Sequence, residues 1–275
     1  MSKQLEGKVA VVTGAGRGIG QGIATVLASR GAAVAAVDLD EASCAGTVTA
    51  IKAAGGRAAA VAGDVTSSKS MAAAVERTLA QFGQVDVCVA NAGVIGAQGY
   101  QDRLQYTEDD WDLTFAVNVK GVAHTVDAVL PHMKQRRAGR IVVIASHGGR
   151  APRGPKIRPG NAGMPYGASK AAAIQLTHAL AIELAPHNIN VNCVCPGTLW
   201  TPMWEKIANN IVKHDASLAG LTPRQVFDRQ IKTYTPLGRP QTPEDIGRAV
   251  AFFASDDASE VTGQALNVNG GAILN

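Results

Sequence analysis

Short apolar runs alternate with longer stretches of helical periodicity along almost the whole chain, and this rhythm restricts the fold more than any other feature. The runs fall at 8–13, 33–38, 57–62, 85–90, 140–146, 190–195 and 264–268. Between them the spacing predicts helices at 18–30, 41–53, 68–81, 108–134, 166–184 and 243–254. Strands this apolar are buried on both faces, as in a parallel sheet with helices packed above and below it. Right-handed crossovers then give an α/β fold, a doubly wound Rossmann-type parallel sheet of about seven strands. Two segments interrupt the rhythm. Residues 150–163 are rich in Gly, Pro and Arg/Lys and read as an irregular loop. Residues 201–241 form a long insertion with two short helices, near 204–213 and 223–232, and read as a substrate lid. No linker separates a second domain, so residues 1–275 are expected to fold as one.

Composition excludes several classes. Hydrophobic residues make up 46% of the 275 positions and charged ones 17%, which argues against disorder. The net charge of +4 comes with only 4% aromatics and no basic stripe, so nucleic acid is not an expected partner. No apolar run is long enough to span a bilayer, and the first eight residues contain no apolar signal core. A cytoplasmic location is expected. The four cysteines are Cys44, Cys88, Cys193 and Cys195, with no CxxC or Cys/His metal spacing. They read as small buried hydrophobes in a reducing compartment, and no metal site is expected. Cys193 and Cys195 lie on one predicted strand and are expected to face opposite ways.

The first strand runs into Thr13-Gly14-Ala15-Gly16-Arg17-Gly18-Ile19-Gly20, which opens the first helix. Glycines let backbone turn tightly and approach a pyrophosphate, and a helix N-terminus offers free N–H groups and positive charge to it. The spacing is G-x-x-x-G-x-G rather than G-x-G-x-x-G, but its strand–turn–helix setting marks a dinucleotide site. Asp38, followed by Leu39, ends the second strand. A carboxylate there accepts hydrogen bonds from an adenosine ribose and repels a 2′-phosphate, which favours NAD over NADP. Arg17 is the opposing signal, because an arginine in the turn can pair with a phosphate.

Tyr166 and Lys170 stand at i and i+4 of a predicted helix and share one face. Ser146 ends a strand at the carboxyl edge of the sheet, where open α/β sheets bind ligands. Taken with Thr13–Gly20, Asp64-Val65, Asn91-Ala92-Gly93, Asn118 and Pro196-Gly197, these motifs occur in the order seen in short-chain dehydrogenases/reductases. The chain resembles that family over nearly its whole length. The resemblance implies a nicotinamide-dependent oxidoreductase that interconverts a secondary alcohol and its ketone. Tyr166 is then the proton-transfer residue. Its pKa, near ~10 when free, would need lowering by Lys170 and the nicotinamide charge. Ser146 would hold the substrate oxygen, and Asn118 a water that links Lys170 to solvent. Asp64 and Val65 would contact adenine, and Asn91, Ala92 and Gly93 would flank the adenosine ribose. Lys170 would also bind the nicotinamide ribose, with Leu199 and Thr201, after Pro196-Gly197, on the carboxamide. Most relatives assemble as homotetramers, so the same assembly is implied; the small side chains of Ala171–Ala173 and Ala179–Ala181 suit close helix packing, and burial in the core explains them equally.

One departure is the interval from Ser146 to Tyr166, 20 positions, which is longer than the family's usual spacing. Arg150, Arg153, Lys156 and Arg158 in that stretch read as a solvated loop, with attraction of an anionic substrate as the alternative. His147 is not needed as a base beside a Tyr/Lys pair. Trp200, Met203 and Trp204 are candidates for the lid and pocket wall. Two other readings stay open: an NADPH-dependent ketone or 3-oxoacyl-thioester reductase, and an NAD(H)-sensing protein without turnover. The sequence does not choose among polyols, sugars, cyclic alcohols and other hydroxylated substrates.

Overall fold

The computed structural model describes residues 4–151 and 164–275. Seven parallel strands form one sheet: β1 (Val9–Thr13), β2 (Ala33–Asp38), β3 (Arg57–Ala62), β4 (Val87–Ala90), β5 (Gly139–Ile144), β6 (Ile189–Pro196) and β7 (Ala265–Val268). Their spatial order is β3-β2-β1-β4-β5-β6-β7. The order reverses between β1 and β4, which opens a crevice at the carboxyl ends of those strands. Every residue of β1 and of β6 is buried, as a strand covered on both sides requires.

Helices α1 (Gly18–Ser29), α2 (Glu41–Ala53) and a late helix cover one face. Helices α3 (Ser68–Phe82), α4 (Glu108–Phe115), α5 (Gly121–Arg136) and α6 (Pro165–Leu184) follow in the chain. Two apolar clusters result. One holds Ile23 and Leu27 of α1 with Ile246, Val250 and Phe253. The other holds Met71 of α3, Val126 and Met133 of α5, and Leu180 and Leu184 of α6. Strand residues alternate between them: Val11 joins the second, Ala10 and Val12 the first. After β6 come α7 (Pro202–His214), α8 (Pro223–Tyr234) and α9 (Pro243–Ala254), the late helix of the first cluster. The helices of 201–241 thus run slightly longer than their sequence pattern.

Two expectations change. The helix foreseen over 108–134 is three pieces, because a π-helical turn, Ala116–Lys120, separates α4 from α5. Cys193 and Cys195 face the same side: both lie in the α6-side cluster, with Sγ atoms 3.9 Å apart. A strand repeats every two residues, so positions i and i+2 share a face, and Val194 alone points to the other cluster. Among the described residues no helix is long and apolar enough to cross a membrane.

Candidate active site

The glycine turn is built for close approach. Gly14 and Gly18 have φ of +65° and +58°, conformations that side chains disfavour. A Cβ on Gly20 would strike the Gly14 carbonyl and the Asn91 side chain. The N-terminus of α1 carries neither a side-chain cap nor an acidic residue in its first turn. Its N–H groups and dipole therefore suit an anion at the turn. Asn91 locks the turn to β4, its Nδ2 donating to the carbonyls of Thr13 at 2.8 Å and Gly14 at 3.2 Å. The backbone N–H groups of Asn91 and Ala92 both donate to Thr13 Oγ1. Thr13 is thus a hub that its place before the glycines could have signalled.

Asp38 lies against this turn. Its Oδ2 accepts from Gly16 N at 3.0 Å and its Oδ1 from Leu39 N at 2.9 Å. The carboxylate is fixed beside the glycine turn, while Arg17 is exposed. Leu39 is 70% exposed and Ile19 partly buried. Asp64 Oδ1 accepts from Thr66 N and Oγ1, and Val65 packs against Gly121. After β6, Gly197 N donates to Val268 O at 3.0 Å, and Leu199 is buried. Thr201 caps α7 by accepting from Trp204 N, and its methyl group lies 3.8 Å from where a Gly18 Cβ would sit. The 196–201 segment and the glycine turn are therefore neighbours. Two left-handed glycines, an open helix N-terminus and an acceptor pair on Asp38 fit a dinucleotide.

Ser146, Tyr166, Lys170 and Asn118 converge next to this cradle. The Ser146 hydroxyl accepts from Gly148 N at 3.1 Å and lies close enough to the Tyr166 phenol to draw its pKa down. Lys170, buried, donates from Nζ to Ile144 O at 2.8 Å, with Nζ 5.7 Å from the Tyr166 ring centre. Gly93 abuts both Asn118 Oδ1 and Lys170 Nζ, each 3.3 Å from a notional Cβ. Asn118 is fully buried; its Oδ1 accepts from Val94 N and its Nδ2 donates to Val94 O, all at 2.9 Å. The same Nδ2 donates to Ser169 Oγ at 3.0 Å. Ser169, between Tyr166 and Lys170, was missed in the sequence, although its place in the Tyr-x-x-x-Lys stretch offered a signal.

Tyr166 is half-buried as a whole. Burial pushes its phenol above the usual range, and the nearby Ser146 hydroxyl works in the opposite direction. Lys170 is lowered to about 8 by burial, against the pull of the cysteine sulfurs. Below pH 8 the folded state carries the full desolvation cost of this ammonium. Between about 8 and 10.5 the unfolded chain holds a proton the folded one has released, so this group adds stability as pH rises through that window. Lys170→Met should therefore be more stable than the parent at pH 7 by roughly 2 kcal/mol, after losing the bond to Ile144. Urea unfolding from pH 7 to 10.5 checks this, since the gap between the two proteins should close as pH rises.

The loop after Ser146 is pinned under α6. A Cβ on Gly149 would lie 2.6 Å from the Lys170 carbonyl carbon. Arg150 reaches past it, and its guanidinium donates to the Ala265 carbonyl. Arg150 is thus a strut between the loop and the edge strand rather than a lure for anionic substrate. Arg153, Lys156 and Arg158 lie outside the described residues. His147 is buried at the start of a 3-10 turn.

Helices α7 and α8 pack against one another after β6. Trp200 and Trp204 pack edge-on against Phe227 of α8, ring centres 5.1 and 5.3 Å away. Asn210, fully buried on α7, donates from Nδ2 to the carbonyls of Tyr100, Gln101 and Arg103. It clamps α7 to the loop after β4. Asn210→Leu leaves three carbonyls without that donor and should lower the unfolding free energy by about 1–3 kcal/mol. Steady-state kinetics should show KM rising more than kcat falls, because the clamp shapes the cleft wall without touching the Ser146–Tyr166 pair.

A Rossmann sheet carrying a dinucleotide cradle beside a Ser, Tyr and Lys cluster defines a nicotinamide-dependent oxidoreductase acting on CH–OH or keto groups. A family model described as Enoyl-(Acyl carrier protein) reductase matches residues 14–272. The (2S)-[(R)-hydroxy(phenyl)methyl]succinyl-CoA dehydrogenase subunit BbsD of Thauera aromatica is 35% identical over 271 residues, covering 98% of each chain. The 3-oxoacyl-[acyl-carrier-protein] reductase FabG of Thermotoga maritima is 34% identical over 274 residues, 98% of this chain and 100% of that one. Among solved structures, an NAD+-bound xylitol dehydrogenase superimposes with a TM-score of 0.84 at 33% identity, covering 97% of this chain and 99% of that one. The chain belongs to the short-chain dehydrogenase/reductase family.

Proposed function

We propose that this enzyme is an NAD-dependent dehydrogenase that interconverts a secondary alcohol and its ketone, with Tyr166 as acid/base. The observation that carries the reading is the placement of the Ser146 hydroxyl close to the Tyr166 phenol, with the Lys170 ammonium on the same helix face, beside a dinucleotide cradle. A carbinol oxygen bound there meets both groups. Ser146 holds it, and Tyr166 takes its proton as oxidation proceeds or returns one on reduction. With its pyrophosphate at the glycine turn, a nicotinamide cofactor would supply the hydride acceptor or donor and a charged ring. Lys170 keeps an ammonium near the phenol. Asn118 has its side chain committed to Val94 and Ser169. Any water it holds for the relay therefore falls to its main chain, at the π-turn where the helix widens.

Asp38 favours NAD, since its carboxylate is fixed where a ribose would lie. The xylitol dehydrogenase neighbour, bound to NAD+ by its description, is compatible with this and with a polyol substrate. An NADPH-linked ketone or acyl-thioester reductase is the second reading, favoured by the exposed Arg17 of the turn and by the likeness to FabG. The deciding experiment follows NADH and NADPH absorbance over polyols, sugars, cyclic diols, hydroxy acids and 3-oxoacyl thioesters. Turnover with NAD and an alcohol supports the first reading; turnover confined to NADPH and thioesters supports the second. A homotetramer joined through α5 and α6 completes the proposal. On α6, Ala171, Ala179 and Ile182 are exposed, the last at 79%.

A further inference from the structure

Four thiols are buried in this protein, and two of them differ from the others in position and chemistry. Cys88 is pushed up to about 12 and Cys44 to about 11, in each case chiefly by burial. Both are therefore protonated and inert at neutral pH. Cys193 and Cys195 instead stand side by side on β6, Sγ to Sγ 3.9 Å. Their neighbours are the catalytic groups. The backbone of Ser146 and the guanidinium of Arg150 lie close enough to Cys195 to act on its thiol. Lys170 faces both sulfurs, and Tyr166 lies within charge reach of Cys195. Hydrogen-bond donation from Cys193 lowers Cys195 below the usual thiol range, against the effect of burial, with Arg150 and Ser146 adding to the lowering. Cys193 is held well above the usual thiol range by the same shared proton. One sulfur is thus an available nucleophile and the other a protonated partner in contact with it.

We propose that Cys193 and Cys195 form a hydroperoxide-sensitive dithiol on the floor of the active site, and that its closure to an intrastrand disulfide reversibly shuts the enzyme down. The Cys195 thiolate attacks one peroxide oxygen, the O–O bond breaks, and the sulfur becomes a sulfenic acid while hydroxide leaves and takes up a proton. The Cys193 sulfur then gives up its proton, attacks Cys195 Sγ and expels the second oxygen as water. Two thiols have lost two electrons in total, and one hydrogen peroxide has become two waters.

Geometry makes this disulfide short-lived and consequential. Residues two apart on a parallel strand have Cα atoms about 6.6 Å apart, at the upper end of the range a disulfide spans. Bringing the sulfurs from 3.9 Å to bonding distance therefore bows β6 at Val194. The Val194 carbonyl holds Ala145 N at 2.9 Å, directly before Ser146. Pro196 and Gly197 follow at once on the other side. The bow shifts Ser146 away from Tyr166. A strained bond of this kind is readily reduced.

The test uses the intact purified enzyme. Both sulfurs are 0% exposed, so the probe is hydrogen peroxide, a molecule the size of water, rather than a bulky thiol reagent. After treatment and removal of peroxide, denaturing alkylation and peptide mass spectrometry read the segment containing both cysteines. The expected result is a peptide two hydrogens lighter and unalkylated, an activity loss of at least about tenfold, and recovery of both with dithiothreitol. Cys193→Ala should keep its activity before treatment, form no internal disulfide, and show no loss that dithiothreitol reverses. Two free thiols in the 193–195 peptide of a peroxide-inactivated enzyme would overturn the proposal. So would a fully formed disulfide that leaves activity intact. The inhibitory half rests on the hydride-transfer reading. Mass and NADH fluorescence report the disulfide without any turnover, so an enzyme lacking activity on every alcohol tested defeats that reading and leaves the bond itself measurable.

Discussion

Tyr166→Phe should cut kcat by about 10²–10⁴, the range that a positioned general acid/base supplies, while NADH binding stays close to that of the parent. The substitution removes one hydroxyl from a half-buried ring and leaves the ring's volume in place, so α6 and the cradle at Gly14–Gly20 keep their packing. What disappears is the phenol oxygen beside Ser146. The pH profile offers a second readout. Because burial holds the Tyr166 phenol above its ordinary range, alcohol oxidation by the parent should climb with pH as the base form becomes available. In the Phe variant that rising limb should be gone. Stopped-flow absorbance and NADH fluorescence titration measure the two effects. Near-normal turnover in Tyr166→Phe, or a Ser146→Ala variant more damaged than the Tyr variant, would mean the proton is handled elsewhere.

The second large effect concerns the choice of cofactor. A 2′-phosphate at the ribose position would meet the Asp38 carboxylate, held in place by Gly16 N and Leu39 N. Juxtaposed like charges cost several kcal/mol, and about 1.4 kcal/mol is tenfold. The parent should therefore prefer NAD to NADP by about 10²-fold in kcat/KM. Asp38→Ser removes the charge, keeps a short polar side chain beside Gly16, and leaves Arg17 to pair with the phosphate. The preference should swing towards NADP by a similar factor, mostly through KM. Equal use of both cofactors by the parent would show that this carboxylate does not discriminate.

The parts of this molecule that follow local rules could be read from the chain. The glycine turn sits between β1 and α1 as its strand–turn–helix setting demanded, and the Tyr/Lys pair shares a helix face because i and i+4 must. What could not be read depends on partners distant in sequence. The π-turn at Ala116–Lys120 accompanies the pair of hydrogen bonds between the Asn118 side chain and the Val94 backbone, and nothing in the periodicity of 108–134 announces it. Arg150 sits in a segment whose composition reads as solvated, yet its acceptor on Ala265 lies 115 positions away. Asn210 looks like a polar residue of an amphipathic helix, but three carbonyls of a loop more than 100 positions earlier surround its amide. The facing of Cys193 and Cys195 was within reach, because the strand's two-residue repeat alone determines it.

The way the chain is fastened on leaving Ser146 bears on how such an enzyme changes over time. Gly148 is tied back to Ser146, Gly149 rests on the backbone of α6, and Arg150 grips the edge strand, all before residue 151. On the far side, the first turn of α6 already carries Tyr166. The two hydroxyls that must meet are thus held by anchors that owe nothing to how many residues run between 152 and 163. Length and chemistry in that interval are free to drift under selection for new substrates, while the proton-transfer geometry is inherited intact.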